Sequence, residues 1–165
     1  MIFLTVGSQL PFDRLVTMVD TWAGNHLEHP VVAQIGDSDY HPAHLDVVPM
    51  LTPSEYDRMM QDADLIISHV GMGTIINSLS LNKPMILLPR IAGLGETRND
   101  HQTDTALKLT RFSSMKVAWN EDELVTHLNE TLGTRCEPRA ASIELSPSLK
   151  SAIQGFLGEV ERERA

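Results

Sequence analysis

The sequence predicts an α/β fold built on a doubly wound parallel sheet, with helices packed on both faces. Short apolar runs alternate with segments of helical periodicity along the chain. Two of these runs end in glycine turns that lead directly into helical patterns. In SHVGMGTIINSLSLNKPMILLPR (68–90), the order is apolar run, glycine turn, helical pattern and second apolar run. This order is typical of a βαβ crossover, whereas a hairpin would continue as an alternating strand.

The first part of the chain supplies three strands and two helices. We predict strands over IFLTV (2–6), VVAQI (31–35) and LDVVPML (45–51). The helix after the first strand has an apolar face, formed by Phe12, Leu15, Val16, Val19 and Trp22. The next helix begins at Thr52-Pro53-Ser54-Glu55, which has the form of a capping box with proline at the first helical position.

The second part continues the same alternation. Strands are predicted over 64–70, 84–89 and 116–119, with a helix after the glycine turn, another over 100–112 and a third capped by Asn120. In parallel sheets, ligands bind beyond the carboxyl ends of the strands. We therefore expect the loops at 7–10, 50–52, 71–74 and 90–100 to meet at one edge.

Residues 1–133 are predicted to form this single domain. Residues 134–147 have no clear periodicity and are predicted to be a linker. Residues 148–163 are predicted to form an amphipathic helix, with Leu149, Ile153, Phe156, Leu157 and Val160 on one face. This helix either packs back on its own domain or crosses to a partner protein, and the pattern leaves both open.

Composition excludes some classes of partner. The chain of 165 residues has 13 basic and 22 acidic residues, for a net charge of -9. This charge argues against nucleic acid or an anionic membrane surface as the main partner. The single cysteine, Cys136, permits no internal disulfide, so a reducing, cytoplasmic compartment is expected. No apolar segment is long enough to predict a membrane span.

Two loops have the chemistry of a phosphate site. Gly7-Ser8-Gln9 follows the first strand and Gly71-Met72-Gly73-Thr74 follows the fourth, and each precedes a helix. Glycine allows close approach of the backbone, and the free amides of a helix start favour anions. Neither loop matches the dinucleotide fingerprint or a Walker A loop, and glycines also serve tight packing between strand and helix. Asn77, one turn beyond Gly73, is placed to reach a ribose hydroxyl or to be a solvated helix residue.

The segment PRIAGLGETRNDHQ (89–102) is polar and ends at a predicted helix start. His101 and Gln102 carry the paired donors and acceptors that sugar hydroxyls require. Asn99 or Asp100 is expected to cap the helix. Arg90 and Arg98 are candidates to pair with a carboxylate or phosphate of the ligand, or with Glu96.

No metal site is predicted. Asp37-Ser38-Asp39 resembles an acidic metal motif but lies in a turn-like stretch, where a solvated turn is favoured. His41 and His44 lack further clear ligands for zinc. His69 flanks the second glycine turn and is a candidate catalytic residue, with a structural histidine at the rim as the alternative.

The segments TVGSQLPFDRL, SHVGMGTIINSLSLNKPMILLPR and GETRNDHQ together resemble the C-terminal, donor-binding domain of glycosyltransferase family 28. That domain is the Rossmann-like half of a GT-B enzyme. The likeness runs from residue 1 to about residue 130. It is closer to stand-alone versions of this half, the catalytic subunits of two-part UDP-sugar transferases that act in dolichol-linked glycan or bacterial exopolysaccharide synthesis.

The resemblance implies a role for each candidate residue. The two glycine loops would hold the diphosphate of a UDP-sugar, Met50 and Leu51 would contact the uracil, and His101, Gln102 and Arg98 would contact the sugar. Asn77 stands where the family usually has a ribose-binding glutamate. The implied reaction is inverting displacement at the anomeric carbon, with UDP-sugar as substrate and neither metal nor other cofactor.

The resemblance also implies a partner. The complete enzymes have a second domain that binds the lipid-linked acceptor and supplies the base. We therefore expect a separate membrane-anchored subunit that recruits this chain to the cytoplasmic membrane face. Two alternatives remain: a non-catalytic nucleotide-sugar-binding regulator, and a flavodoxin-like domain that binds another phosphate. N-acetylglucosamine, glucose and glucuronic acid all remain possible sugars.

Overall fold

The computed structural model describes residues 1–48, 50–110 and 114–133. The predicted linker (134–147) and terminal helix (148–163) lie outside the described residues. In chain order the elements are β1 (Ile2–Thr5), α1 (Asp13–Ala23), β2 (Val31–Gln34), β3 (Asp46–Val48), α2 (Pro53–Asp62), β4 (Leu65–His69), α3 (Met72–Ser80), β5 (Met85–Leu88), α4 (His101–Leu109), β6 (Met115–Val117) and α5 (Glu121–Gly133). A short 3-10 turn covers Ala92–Leu94.

Within the described residues, a 6-stranded parallel sheet has the order β3-β2-β1-β4-β5-β6. The fold class predicted from the sequence is confirmed. From β1 the chain adds β2 and β3 on one side of the sheet, and it then adds β4, β5 and β6 on the other side. The strand order therefore reverses between β1 and β4. The carboxyl ends of β1 and β4 therefore border the crevice where open α/β sheets bind ligands.

The central strands are buried on both faces, which explains their nearly continuous apolar sequences. Alternate residues belong to two separate cores. Leu4 packs with α1 and α5 on one face, whereas Phe3 packs with α2, α3 and α4 on the other. This two-sided packing fixes the strand register, since a shift by one residue would exchange the faces.

The third strand and the fourth helix are shorter than predicted. β3 covers only Asp46–Val48 and is largely exposed, because it lies at the sheet edge and pairs only with β2. The helix predicted over 100–112 begins at His101 and is described as far as Leu109. The capping box predicted at the start of α2 is confirmed, with Thr52 and Glu55 making both reciprocal hydrogen bonds.

The connection from β2 to β3 contains no helix, and a buried carboxylate holds it in place. Asp20 of α1 accepts hydrogen bonds from the Tyr40 hydroxyl (2.8 Å), the Ala43 amide (3.0 Å) and the His44 amide (2.7 Å). Burial opposes ionisation, but these hydrogen bonds outweigh it and lower the pKa of Asp20. The carboxylate thereby fixes this connection to α1.

Among the residues that the structure describes, no helix is both long and apolar enough to cross a membrane.

Candidate functional site

A cavity of about 850 Å³ opens at the carboxyl edge of the sheet. It brings together the turn after β1, the turn after β4 and one side of α4. Its lining residues are Val6, Gly7, Ser8, Gln9, Leu10, His69, Val70, Gly71, Met72, Gly73, Thr74, Arg90, Thr97, His101, Gln102, Asp104, Thr105 and Lys108. The volume lies in the range of cavities that bind cofactors and other small molecules.

The start of α3 presents backbone amides at this cavity. Gly71 is the N-cap and has no side chain to accept a hydrogen bond from the helix. The first helical hydrogen bond runs from the Ile75 amide to the Gly71 carbonyl (3.0 Å), so helix geometry leaves the amides of Met72, Gly73 and Thr74 without carbonyl partners in α3. Apart from its chain neighbours and the nearby backbone of α3, a Cβ placed on Gly73 would meet no described atom within 4 Å. These amides and the positive end of the helix dipole suit an anion.

The turn after β1 also contributes a glycine, and this one is constrained by its backbone conformation. Gly7 has φ +81, a conformation that L side chains rarely adopt. Its amide donates to the Thr5 hydroxyl oxygen at 3.2 Å, which stabilises the turn. The following residues, Ser8 and Gln9, are exposed at the mouth of the cavity. The loop is therefore shaped by buried polar groups below it and open to a ligand above it.

His69 lies between the two glycine turns. A Cβ on Gly7 would come within 2.7 Å of His69 Cε1, and a Cβ on Gly71 would collide with Nε2. A side chain at either position would therefore force the imidazole ring to move, a constraint that the sequence pattern did not reveal. The imidazole itself forms part of the cavity wall.

The protonation of His69 follows from its surroundings. Ser68 Oγ donates to the Thr5 carbonyl (2.9 Å) and lies 3.3 Å from His69 Nδ1. Because the serine proton is used, Nδ1–H is the donor in the second contact, which leaves the lone pair on Nε2. Burial, together with the positive charge of Arg90, lowers the pKa of His69 from 6.5 to about 4. The ring is neutral at pH 7.

Arg90 is a structural cation at the floor of the cavity. Its guanidinium donates to the carbonyls of Pro11 (2.6 Å), Leu10 (2.7 Å), Val6 (3.0 Å) and Glu96 (3.2 Å). The side chain is buried and stacks over the Phe12 ring at 4.5 Å. These contacts join the loop after β1 to the loop after β5, so the charge is committed to protein carbonyls.

The carboxylate of Glu96 pairs with another arginine. Arg14 donates through Nε (2.6 Å) and Nη2 (2.9 Å) to the two carboxylate oxygens. The Ile91 amide also donates to Glu96 (2.9 Å). The sequence offered Glu96 as one partner for Arg90. In the structure, Arg90 donates to the backbone carbonyl of Glu96 and not to its carboxylate.

Gln102 connects the ends of two strands to α4. Its Oε1 accepts hydrogen bonds from the amides of Val70 and Arg90, both at 3.2 Å. The carboxamide is therefore oriented by the backbone of β4 and β5 before any ligand arrives. With Oε1 engaged, Nε2 is the atom available to donate to a sugar hydroxyl. His101 lies next to it, exposed at the cavity wall.

Four predicted site residues lie outside this cavity. Asn77 Nδ2 donates to Asp57 Oδ1 at 3.3 Å and links α3 to α2. Leu51 packs against the core on the α2 side, while Met50 is exposed. Arg98 is also exposed. The structure thus gathers the predicted diphosphate and sugar residues, apart from Arg98, around the cavity. The predicted nucleoside residues do not line it.

The sequence interpretation missed one wall of the cavity. Asp104, Thr105 and Lys108 follow His101 at helical spacing and line the cavity along one side of α4. The available signal was the i, i+3, i+4, i+7 pattern of polar residues beginning at His101.

The fold and the cavity together define an α/β domain whose paired glycine turns and helix start are suited to a phosphate-containing ligand. The chain belongs to glycosyltransferase family 28, because the model of that family's C-terminal domain matches residues 1–154. The resemblance inferred from the glycine turns and the GETRNDHQ segment is confirmed.

Two curated relatives each match about half of the chain. The UDP-N-acetylglucosamine transferase subunit ALG13 of Candida albicans is 29% identical over 86 residues, which are 48% of this chain and 28% of the relative. The UDP-N-acetylglucosamine--N-acetylmuramyl-(pentapeptide) pyrophosphoryl-undecaprenol N-acetylglucosamine transferase of Prochlorococcus marinus is 31% identical over 98 residues. That match covers 57% of this chain and 26% of the relative. The chain thus matches little more than a quarter of either relative's length.

Solved structures share the fold. The NMR structure of ALG13 has a TM-score of 0.60 at 20% identity and covers 92% of this chain and 94% of that one. The glycotransferase of kitacinnamycin has a TM-score of 0.61 at 18% identity, covering 98% of this chain and 39% of that one. MurG of Acinetobacter baumannii has a TM-score of 0.55 at 23% identity, covering 79% and 40%. The chain therefore has the Rossmann-like fold of one part of larger glycosyltransferases.

Proposed function

We propose that this chain is the donor-binding and catalytic subunit of a split inverting glycosyltransferase. It transfers N-acetylglucosamine or glucuronic acid from a UDP-sugar to a lipid-linked acceptor during glycan or polysaccharide assembly. Family membership supports the transferase class. The observation that carries the proposal is the meeting of both glycine turns with Gln102 and His101 around one cavity.

The cavity suits a nucleotide diphosphate bonded to a sugar. The diphosphate lies against the amides of Met72, Gly73 and Thr74 and against the Gly7 turn. The sugar extends towards α4, where Gln102 Nε2 and His101 donate to or accept from its hydroxyls. Because protein amides already stabilise the charge that develops on the leaving UDP, the proposed reaction proceeds without a metal ion.

The acceptor hydroxyl attacks the anomeric carbon as a base removes its proton and UDP leaves with the bonding electrons. His69 is neutral, and its Nε2 carries a lone pair, but the imidazole is packed between the two glycine turns of the diphosphate site. We therefore assign the base to a partner subunit and assign His69 to the leaving-group side.

A membrane-anchored partner completes the proposed enzyme. One relative is itself named as a subunit of a UDP-N-acetylglucosamine transferase. In this proposal the partner binds the lipid-linked acceptor and supplies the base, and the chain works at the cytoplasmic membrane face through that partner. The predicted helix at 148–163 is the proposed contact with it.

Calorimetry of the isolated chain against UDP, UDP-N-acetylglucosamine, UDP-glucuronic acid, UDP-glucose and ADP tests the donor site. We expect binding of UDP and tighter binding of the UDP-sugar that is the true donor. Binding of ADP or a flavin nucleotide without binding of UDP would contradict the proposal. Binding of UDP with no transfer in the presence of any acceptor-binding subunit would favour a regulatory module.

The matched pair Gln102→Glu and Gln102→Ala distinguishes sugar contact from support of the fold. Glutamate keeps an acceptor for the amides of Val70 and Arg90 but removes the Nε2 donor. It should weaken UDP-sugar binding relative to UDP, while alanine should also destabilise the domain because it leaves both amides unpaired. An equal loss for UDP and the UDP-sugar in Gln102→Glu would remove this residue from the sugar site.

A further inference from the structure

A buried carboxamide lies at the carboxyl edge of the sheet and does not line the cavity. Gln34 is the last residue of β2 and only 4% exposed. Its Oε1 is buried with no hydrogen-bond partner among the described residues. In the described part of the chain, its Nε2 donates to the thioether sulfur of Met50 alone, at 3.1 Å. Buried carboxamides are ordinarily satisfied, and a thioether is a weak acceptor, so this group is unusual.

The neighbours of Gln34 make the difference clear. Thr5 pairs in register with both Gln34 and Ser68, which places three buried polar residues across adjacent strand ends. Ser68 donates to the Thr5 carbonyl, and the Thr5 hydroxyl oxygen accepts from the Gly7 amide. Two members of the row thus support the glycine turns. The third has the same position on its strand but no equivalent protein partner.

The position of Gln34 is next to the proposed diphosphate site. The Val6 amide donates to the Gln34 carbonyl at 3.1 Å, one residue before the Gly7 turn. On the other side of that turn, α4 and Gln102 occupy the direction assigned to the sugar. With the sugar assigned to the α4 side, the β2 side is left for the nucleoside of a nucleotide held at the start of α3. Gln34 and Met50 lie at the end of β2 and after β3, although neither residue lines the cavity itself.

We propose that the Gln34 carboxamide recognises the uracil base of the donor nucleotide, an inference that rests on the proposed function. Met50 is 53% exposed, and its thioether is a weak acceptor for Gln34 Nε2, so displacement of its side chain by a ligand would break only a weak hydrogen bond. The uracil imide edge carries one N–H between two carbonyls. Its N3–H donates to Gln34 Oε1, and an adjacent carbonyl accepts from Nε2.

This pairing satisfies both ends of the carboxamide at once. It does not depend on which way the amide is turned in the free protein, because in either orientation one polar atom lacks a partner and the other faces sulfur. It also explains why a buried group is retained with an unmet hydrogen bond. The unpaired carboxamide lowers the stability of the free protein, and it gains hydrogen bonds when the ligand binds.

The test is a thermodynamic cycle in which both the ligand and the residue at position 34 are varied and binding is measured by calorimetry. UDP and 3-methyluridine diphosphate, which lacks the N3 proton, are titrated into the wild-type chain, Gln34→Leu and Gln34→Met. Gln61→Leu is the matched control, since Gln61 is exposed near the end of α2. We expect methylation to weaken binding to wild type and Gln61→Leu by about tenfold or more, the effect of losing a buried hydrogen bond.

In Gln34→Leu we expect UDP binding to fall by a similar factor and the additional effect of methylation to shrink to less than about threefold. Gln34→Met gives the same readout with an unbranched side chain if the leucine variant does not fold. Full sensitivity to methylation in the Gln34 variants would overturn this proposal while leaving the donor function intact. Absence of UDP binding in wild type and in Gln61→Leu would overturn the proposed function itself.

Discussion

Replacing Gly73 with alanine should separate ligand binding from folding stability at the start of α3. Gly73 is the second residue of the helix, and a Cβ there meets no described atom from any other part of the fold within 4 Å. The substitution therefore introduces no steric conflict in the free protein. Alanine loses less backbone entropy than glycine on folding into a helix, so Gly73→Ala should raise the free energy of unfolding by about 0.5–1 kcal/mol.

Binding should change in the opposite direction. The new methyl group lies where a phosphate oxygen must approach the amides of Met72, Gly73 and Thr74. Displacement of the diphosphate by this group should weaken UDP binding at least tenfold, or about 1.4 kcal/mol. The β-branched Gly73→Val should abolish it. Urea unfolding measures the first effect, and calorimetry with UDP measures the second.

Two other glycines serve as controls. Gly93→Ala also meets no neighbouring atom but lies outside the cavity, so it should leave UDP binding unchanged. Gly71→Ala places its Cβ against the His69 ring and should lower stability by about 1–3 kcal/mol. A Gly73→Ala variant that binds UDP as tightly as wild type would refute the amide site. One that is less stable than wild type would refute the open geometry around Gly73.

Three further predictions concern pH, a buried carboxylate and metal. Because the folded-state pKa of His69 is about 4, below its ordinary 6.5, its contribution to stability is complete above pH 6.5 and is lost as the pH falls to about 4. Urea titrations should therefore show that the free energy of unfolding falls between pH 6.5 and pH 4 by about 3 kcal/mol less in His69→Gln than in wild type. Identical pH profiles for the two proteins would show that the imidazole is not desolvated. Asp20→Asn should lower the free energy of unfolding by about 1–3 kcal/mol, because its carboxylate holds the crossover through charge-assisted hydrogen bonds; unchanged thermal unfolding would contradict this. UDP binding should persist in a chelator such as EDTA, and binding that disappears with EDTA and returns with Mg²⁺ would show that the diphosphate needs a metal ion.

Local patterns were sufficient for the fold and for much of the candidate site. Apolar runs and helical periodicity report which faces of each element are buried, and this information is carried by residues close together in the chain. Glycine turns between a strand and a helix have a defined place in a parallel sheet, at its carboxyl edge. For this reason the sequence places Gly7, Gly71 and Gly73 at one edge of the sheet, where the structure has them line a single cavity.

Only the tertiary structure decided what these residues contact. Arg90 was a candidate ligand for a carboxylate or phosphate, but four carbonyls from distant loops surround its guanidinium. Gln102 was predicted to contact a sugar, yet its Oε1 is held by two backbone amides from neighbouring strands. The pKa of His69 and the unmet carboxamide of Gln34 likewise depend on burial among segments far apart in sequence. Periodicity records burial along one element, whereas hydrogen-bond partners and desolvation arise where separate elements meet, and for that reason they appear only in the folded chain.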